Sequence, residues 1–131
     1  MNASQATSTY QTANLESQVA AASANTLITM LLDGALVRIA RAKGHVERGE
    51  KQFQGEVIGK IIDIVASLDS YLDHEKGGEV SANLEALYDY VVRQLFQANL
   101  KSDVKLLEEC ELLLHEVRAG WTEMDKRLRD A

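Results

Sequence analysis

The chain has 131 residues, of which 46% are hydrophobic and 26% are charged, a balance typical of one folded domain and not of a disordered chain. Its net charge of −6 at pH 7 argues against nucleic acid as the main partner, because an acidic surface repels phosphate. The single cysteine excludes an intrachain disulfide, and the lack of any apolar run of about 20 residues excludes insertion into a membrane.

The N-terminal segment, residues 1–16, is rich in Ser, Thr, Gln, Asn and Ala. It predicts a mobile tail ahead of a folded domain over residues 17–131. The segment lacks the basic and apolar regions of a signal peptide, so we expect the protein to be cytoplasmic. Tyr10 has two open interpretations: an aromatic residue without a contact, or one that docks on the folded body.

Four segments of the folded domain carry apolar residues at every third or fourth position, which is the spacing of an amphipathic helix. The first helix is predicted to begin with a cap at Ser23 or Asn25 and to fade near Glu47. The second helix is predicted to run from about Lys51 to Leu72.

Gly77-Gly78 is expected to break the chain before a third helix, predicted from about Glu79 to Ala98 with Asn99 at its end. Tyr88 and Tyr90 lie about 200° apart around this helix. We therefore expect Tyr88 in the core and Tyr90 on the surface. The inner face is predicted to consist of Val80, Leu84, Leu87, Tyr88, Val91 and Leu95.

A fourth helix is predicted from about Val104 to Leu128, with a cap at Ser102 or Asp103. Cys110 lies on its apolar stripe, which predicts a buried and unreactive thiol. The links between the helices are short, and short links make neighbouring helices antiparallel. The sequence thus predicts an all-α fold, an antiparallel up-down-up-down four-helix bundle with a mobile N-terminal tail. The absence of proline agrees with this prediction.

The sequence contains no pattern for catalysis or for a bound cofactor. A di-iron bundle needs a Glu three residues before each metal-binding His. The corresponding positions ahead of His45, His74 and His115 hold alanine, tyrosine and leucine. We therefore expect neither enzyme activity nor a metal or other cofactor.

The helices carry more apolar residues than the roughly three in seven that a bundle core requires. Two interpretations remain open at this point. The excess forms a binding surface for an amphipathic helix, or it reflects a wide core with scattered exposed apolar residues. The excess residues are Met30, Leu36, Val37, Ile64, Leu106 and Leu112.

Several stretches match one family pattern. EKGGEVSANLEALYDYVVRQLFQANLKSD (75–103) contains its Gly-Gly-Glu, Asn-Leu, Leu-Tyr-Asp-Tyr and Ala-Asn elements, and LITMLLDGAL (27–36) contains an upstream motif. Tyr10 and Trp121 stand where the family has a tyrosine in its tail and a tryptophan in its last helix. The chain therefore resembles the flagellin-specific export chaperones of bacteria. It departs from them in Ser23-Ala24, where the family has Ser-Pro, and in Leu32, where it often has an aromatic residue.

The resemblance implies a four-helix bundle that binds the disordered C-terminal segment of flagellin. It also implies that the protein prevents premature polymerisation of flagellin and delivers it to the flagellar type III export gate. The implied partners are flagellin and a component of the export gate, with an anti-sigma factor or a co-chaperone as additional candidates. The expected partner contacts are Tyr10, Leu15, Leu27, Ile28, Met30, Leu31, Ile58, Ile61, Ile64, Val65 and Tyr90.

An alternative function is a helical bundle that regulates another flagellar protein, such as an anti-sigma factor, because such a regulator also needs an apolar groove. The role of Tyr90 stays open between a contact with the client and a support for the neighbouring helix. The tail with Tyr10 is expected, from the resemblance, to occupy part of the client-binding surface and to be displaced on binding.

Overall fold

The computed structural model describes the backbone of residues 3–130 and the side chains of residues 24–127 and of Asp130. Over this part of the chain the predicted all-α class and its four helices are confirmed. The helices are α1 (Ala3–Glu47), α2 (Lys51–Ser70), α3 (His74–Lys101) and α4 (Val104–Asp130).

Each helix packs on two neighbours in a closed ring: α1 on α2, α2 on α3, α3 on α4 and α4 on α1. This is the arrangement of a four-helix bundle, as predicted. Polar contacts pair rising residue numbers in α1 with falling numbers in α4, so these two helices are antiparallel. The pairs are Asn25 with Asp125, Asp33 with Arg118 and Lys43 with Glu111.

One face of each helix meets the others at the bundle axis. The buried apolar side chains recur at intervals of three or four residues, so the periodicity that predicts the helices also selects the core. Full burial of one large aliphatic side chain contributes about 1.5–3 kcal/mol. The core consists of Leu32, Ala35, Ile39 and Ala42 from α1, Ile58, Ile61, Val65 and Leu68 from α2, Tyr88, Val91, Leu95 and Ala98 from α3, and Leu107, Cys110 and Leu114 from α4.

The predicted burial of Tyr88 and Cys110 is confirmed. Burial, and to a lesser extent the charge of Asp69, raises the pKa of Tyr88 to about 12. Burial, followed by the charge of Glu109, raises the pKa of the Cys110 thiol to about 12. The thiol lies 3.8 Å from the carbonyl oxygen of Val91, to which it donates a weak hydrogen bond. Both groups are therefore neutral near pH 7.

The start of α1 differs from the prediction. The helix begins at Ala3, far ahead of Ser23 and Asn25, so the predicted cap is wrong. Asn25 instead reaches across to α4, where its side-chain amide donates to Asp125 Oδ1 at 3.4 Å. The predicted mobility of the tail over residues 1–16 stays a prediction, since the side chains of that segment lie outside the described residues.

One end of the bundle, which we call the closed end, contains the α1–α2 and α3–α4 links. There the buried side chain of Gln54 joins α2 to the end of α3. Its amide nitrogen lies 3.1 Å from the carbonyl oxygen of Asn99, 3.0 Å from Asn99 Oδ1 and 3.2 Å from Ser102 Oγ. Ser102 ends α3 in a left-handed conformation, with φ 50° and ψ 51°. The predicted end at Asn99 is therefore wrong by about one turn.

The start of α3 also differs from the prediction, since the helix begins at His74 and not at Glu79. The end of α2 and the start of α4 lie closer to their predicted positions. α2 ends at Ser70, two residues before the predicted Leu72, and α4 begins at Val104 as predicted. Asp103 caps α4, since its Oδ1 accepts a hydrogen bond from the backbone N–H of Lys105 at 2.9 Å.

At the opposite end, which we call the open end, the backbone leaves helical geometry at Gly78, within the predicted break at Gly77-Gly78, and α3 continues on both sides of this kink. Gly78 has φ 49° and ψ −121°, a conformation that residues with a Cβ rarely adopt. Asp73 caps the first turn, with its Oδ1 accepting from the N–H groups of Glu75 and Lys76. Its carbonyl oxygen accepts from the N–H of Gly77 at 2.7 Å and from the hydroxyl of Ser81 at 2.9 Å.

We expect Gly77→Ala to destabilise the fold. A Cβ at this position would lie 1.9 Å from Ser81 Oγ and 3.0 Å from Ser81 Cβ, which would displace the buried hydroxyl from its acceptor on Asp73. The free energy of unfolding should fall by about 1–3 kcal/mol. Urea denaturation followed by circular dichroism measures this change.

Gly59→Ala is the matched control, because a Cβ at Gly59 has no atom within 4 Å and alanine favours a helix over glycine by up to about 1 kcal/mol. In a Ser81→Ala background, Gly77→Ala should cost less, since the displaced hydroxyl is absent. Unchanged or increased stability of Gly77→Ala alone would contradict the packing assigned to Gly77.

We expect the Cys110 thiol to resist modification. The thiolate is the reactive form, and the folded protein keeps this group buried and protonated until the pH rises towards 12. At pH 8, a dithionitrobenzoate reagent should react at least about 100-fold more slowly with the folded chain than with the chain unfolded in guanidinium.

The control is Cys110→Ala combined with Ser67→Cys, since Ser67 is exposed on α2. This variant should react rapidly while folded. Rapid reaction of the unaltered chain at pH 8, with the circular dichroism spectrum unchanged, would show that the thiol is accessible.

Candidate functional site

A groove of about 970 Å³ lies at the open end of the bundle and is lined mainly by apolar side chains. All four helices contribute to it, and Ile28 is the contribution from the described side chains of α1. The other apolar lining residues are Leu68 from the end of α2, Tyr71 and Leu72 from the α2–α3 link, Val80, Leu84, Leu87 and Tyr88 from α3, and Val117, Trp121 and Met124 from the end of α4.

The two long walls of this end groove are helical faces. On α3, Val80, Leu84 and Leu87 follow the i, i+4, i+7 spacing of one face of a helix. Gly120 lies on the α4 wall, and no atom lies within 4 Å of the position that its Cβ would take. The missing side chain therefore leaves the groove wider beside Trp121.

The rim of the end groove is also apolar. Val80 is 65% exposed, and Tyr71 and Met124 are exposed as well. Isolated exposed apolar residues are common on protein surfaces, but a contiguous set around a concave site is typical of a binding surface. The end groove is therefore our candidate functional site.

Few polar groups face the end groove. The charged residues in its lining are Asp73, Lys76 and Glu116. Asp73 accepts the hydrogen bonds that cap α3, and the hydroxyl of Ser81 donates to the Asp73 carbonyl oxygen. The indole Nε1 of Trp121 is different: it is buried and has no hydrogen-bond partner among the described residues.

A smaller groove of about 530 Å³ lies on the outer face of α2 and α3. Its apolar lining is made mostly of short side chains, and three carboxylates border it. Glu85 Oε2 lies 2.8 Å from His74 Nε2, and Asp89 forms an ion pair with Arg93 at 2.8 Å. This surface offers a partner less apolar contact than the end groove. Its lining is Val65, Ala66, Asp69, Ala82, Glu85, Ala86, Tyr88, Asp89 and Val92.

The predicted partner contacts on α1 are divided. Ile28 lines the end groove. Leu27 and Met30 are exposed on the same helix, and Leu31 is half-buried against the core. The side chains of Tyr10 and Leu15 lie outside the described residues.

None of the predicted contacts on α2 reaches the end groove. Ile58, Ile61 and Val65 belong to the core and expose at most 1% of their surface, although Val65 lies at the bottom of the smaller groove. Ile64 is half-buried, and its Cδ1 lies 3.9 Å from the position that a Cβ would take at Gly34. A role of these residues in partner binding stays a prediction.

Tyr90 is on the surface, as predicted, and contacts the neighbouring helix. It is 40% exposed, and its hydroxyl donates a hydrogen bond to Glu109 of α4. That bond is the main reason that the pKa of Tyr90 is raised. The Gln94 amide lies 3.3 Å from the Tyr90 hydroxyl and 3.4 Å from Glu109. The structure thus gives Tyr90 the supporting contact that was one of its two predicted roles.

Sequence reasoning missed the α3 and α4 walls of the end groove. Val80, Leu84, Val117, Trp121 and Met124 all repeat at core spacing, so they are predicted as core residues. Two signals in the sequence point to them: the glycine pair before Val80, and the glycine next to Trp121.

Across the described residues, no group of three or more His, Cys, Asp and Glu side chains is arranged to hold a metal ion. A helix long and apolar enough to span a membrane is likewise absent from that part of the chain.

Comparison with known proteins gives one consistent result. The family model described as Flagellar protein FliS matches residues 6–128. The Flagellar secretion chaperone FliSB of Pseudomonas aeruginosa is 42% identical over 121 residues, which are 92% of this chain and 96% of that protein. The Flagellar secretion chaperone FliS of Salmonella typhimurium is 41% identical over 119 residues, which are 90% of this chain and 88% of that protein.

A more distant relative, the Flagellar secretion chaperone FliS of Bacillus subtilis, is 33% identical over 110 residues, which are 84% of this chain and 81% of that protein. The similarity therefore extends over nearly the whole chain, including both walls of the end groove. The chain belongs to the FliS family of flagellar secretion chaperones, a family of chaperones and not of enzymes.

Proposed function

We propose that this protein is a cytoplasmic export chaperone that binds the disordered C-terminal segment of flagellin in the end groove. It prevents premature polymerisation of flagellin and delivers it to the flagellar type III export gate. The observation that carries the proposal is an apolar groove of about 970 Å³ in a bundle whose relatives are named flagellar secretion chaperones.

The shape of the end groove suits a segment that becomes helical when it binds. Its two long walls each present apolar residues at helical spacing, and an amphipathic helix between such walls buries one face. A disordered segment loses conformational entropy when it folds on a surface, and the apolar area that it buries offsets this loss. The same burial covers the apolar face through which the segment would otherwise polymerise.

The proposal is tested by calorimetric titration with the C-terminal segment of flagellin from the same organism. We expect one-to-one binding with a negative heat-capacity change and a gain of helix in circular dichroism. Val80→Asp should weaken binding at least about ten-fold, because it places a charge on the exposed rim of the α3 wall.

Val37→Asp is the matched control: Val37 is 51% exposed on α1 and is not among the residues that line the end groove. It should change the affinity less than about two-fold. Equal effects of the two substitutions would argue against the end groove as the binding site. Absence of binding to flagellin, together with saturable binding to an anti-sigma factor, would move the function to the regulatory alternative.

Tyr10 and Leu15 remain predicted contacts of the tail with the client-binding surface. If the tail occupies part of that surface, the apparent affinity for the client is reduced by the fraction of molecules that are open. Deletion of residues 1–16 should therefore increase the affinity for the flagellin segment or its association rate, measured by the same titration and by stopped-flow fluorescence. Unchanged affinity and kinetics in a folded deletion variant would reject the competition.

A further inference from the structure

The indole N–H of Trp121 is a buried hydrogen-bond donor without an acceptor among the described residues. Its indole ring forms part of the α4 wall, while its Nε1 has less than 1 Å² of accessible surface and no hydrogen-bond partner among the described residues. Because a donor that is shut off from water loses its hydrogen bond to solvent, leaving it unpaired is unfavourable. Most buried donors in proteins have a partner, so each exception requires an explanation.

None of the described residues supplies the missing acceptor. Asp125 lies one turn further along α4 and accepts from the Asn25 amide at 3.4 Å. The Asp73 carbonyl oxygen already accepts from Gly77 and from Ser81. Within the described part of the chain, Trp121 Nε1 is thus the buried side-chain donor of the end groove that has no acceptor.

We propose that the Trp121 indole N–H donates a hydrogen bond to a carbonyl oxygen of the bound segment, and so determines which segment the end groove accepts. This inference rests on the proposed function and specifies the chemistry of its partner. The ring must uncover Nε1 when the groove fills. The new hydrogen bond then removes the free-energy cost of the unpaired indole N–H, a cost that exists only in the free protein.

The required acceptor restricts the client. Carbonyl oxygens inside a continuous helix are paired within that helix, so they are poor acceptors for Trp121. The segment must present either a carbonyl oxygen at a helix end or turn, or the side-chain carboxamide of Asn or Gln. A carboxylate is disfavoured, because the two acidic residues that line the end groove, Asp73 and Glu116, outnumber the one basic residue, Lys76.

The chain contains one tryptophan, so its indole N–H gives a single, unambiguous resonance in a ¹H–¹⁵N spectrum. We expect this resonance to move downfield and its exchange with solvent to slow when the C-terminal segment of flagellin is added. A segment that binds without shifting the indole resonance downfield would overturn the inference while leaving the proposed function intact. Failure of the unaltered chain to bind the segment would overturn both.

A second measurement separates the hydrogen bond from the apolar contact. Replacing Trp121 with benzothienylalanine exchanges the N–H for sulfur and keeps the shape of the ring. Affinity for the segment should fall about ten-fold, whereas the stability of the free protein should stay the same or increase. Leu112→Met is the control, because Leu112 is exposed on the same helix and is not among the residues that line the end groove, and it should alter affinity less than about two-fold.

Variants of the segment complete the test. Where substitution of an Asn or Gln in the segment by Ala weakens binding to the unaltered chain, it should have little effect on the benzothienylalanine protein, since the bond is already absent. If the acceptor is a backbone carbonyl, no Asn or Gln substitution in the segment will weaken binding in this way. The downfield shift of the indole resonance and the loss of affinity with benzothienylalanine are still expected. Equal affinity of the two proteins for the segment would overturn the inference.

Discussion

The backbone carbonyl oxygen of Asp73 is the acceptor on which the open end of the bundle depends. It accepts one hydrogen bond from the N–H of Gly77 and another from the hydroxyl of Ser81. These bonds connect the first turn of α3 to the rest of the helix, on the two sides of the kink at Gly78, where φ is positive. They thereby set the direction in which Val80 and the following apolar residues face α4. A short polar network thus determines the position of an apolar wall.

The two ends of the bundle differ in how their helices are joined. At the closed end, the buried amide of Gln54 is hydrogen-bonded to Asn99 and Ser102, and such directional contacts fix the position of α2 relative to α3. At the open end, the contact from Asn25 to Asp125 is only partly buried, and the space between the helices is a groove. The core and the closed end can therefore maintain the fold while the open end binds a segment of another protein.

The sequence predicted the number, direction and inner faces of the helices, because amphipathic periodicity records the angle of each residue around its helix. The burial of Tyr88 and Cys110 followed from that angle, whereas the antiparallel topology followed from the short links between the helices. Periodicity does not reveal the position along the bundle axis beyond which the apolar faces of the four helices no longer pack against one another. Val80 and Ile61 therefore look alike in sequence, although one is 65% exposed at the rim and the other is fully buried. For the same reason most of the predicted contacts lie outside the end groove, and Ile28 is the one among the described side chains that lines it.

The burial of the α1 side chains also changes along the bundle. Its core residues begin at Leu32, whereas Ile28, which faces the end groove, is only half-buried. The ion pair between Asp33 and Arg118 is partly exposed, and water screens the attraction between exposed charges, so this pair adds little stability. Within the described part of α1, the side that faces the end groove is thus held by fewer buried contacts than the segment from Leu32 onwards. If the end groove binds the client as proposed, the client can displace this side without disturbing the core, which would limit its affinity and favour its later release.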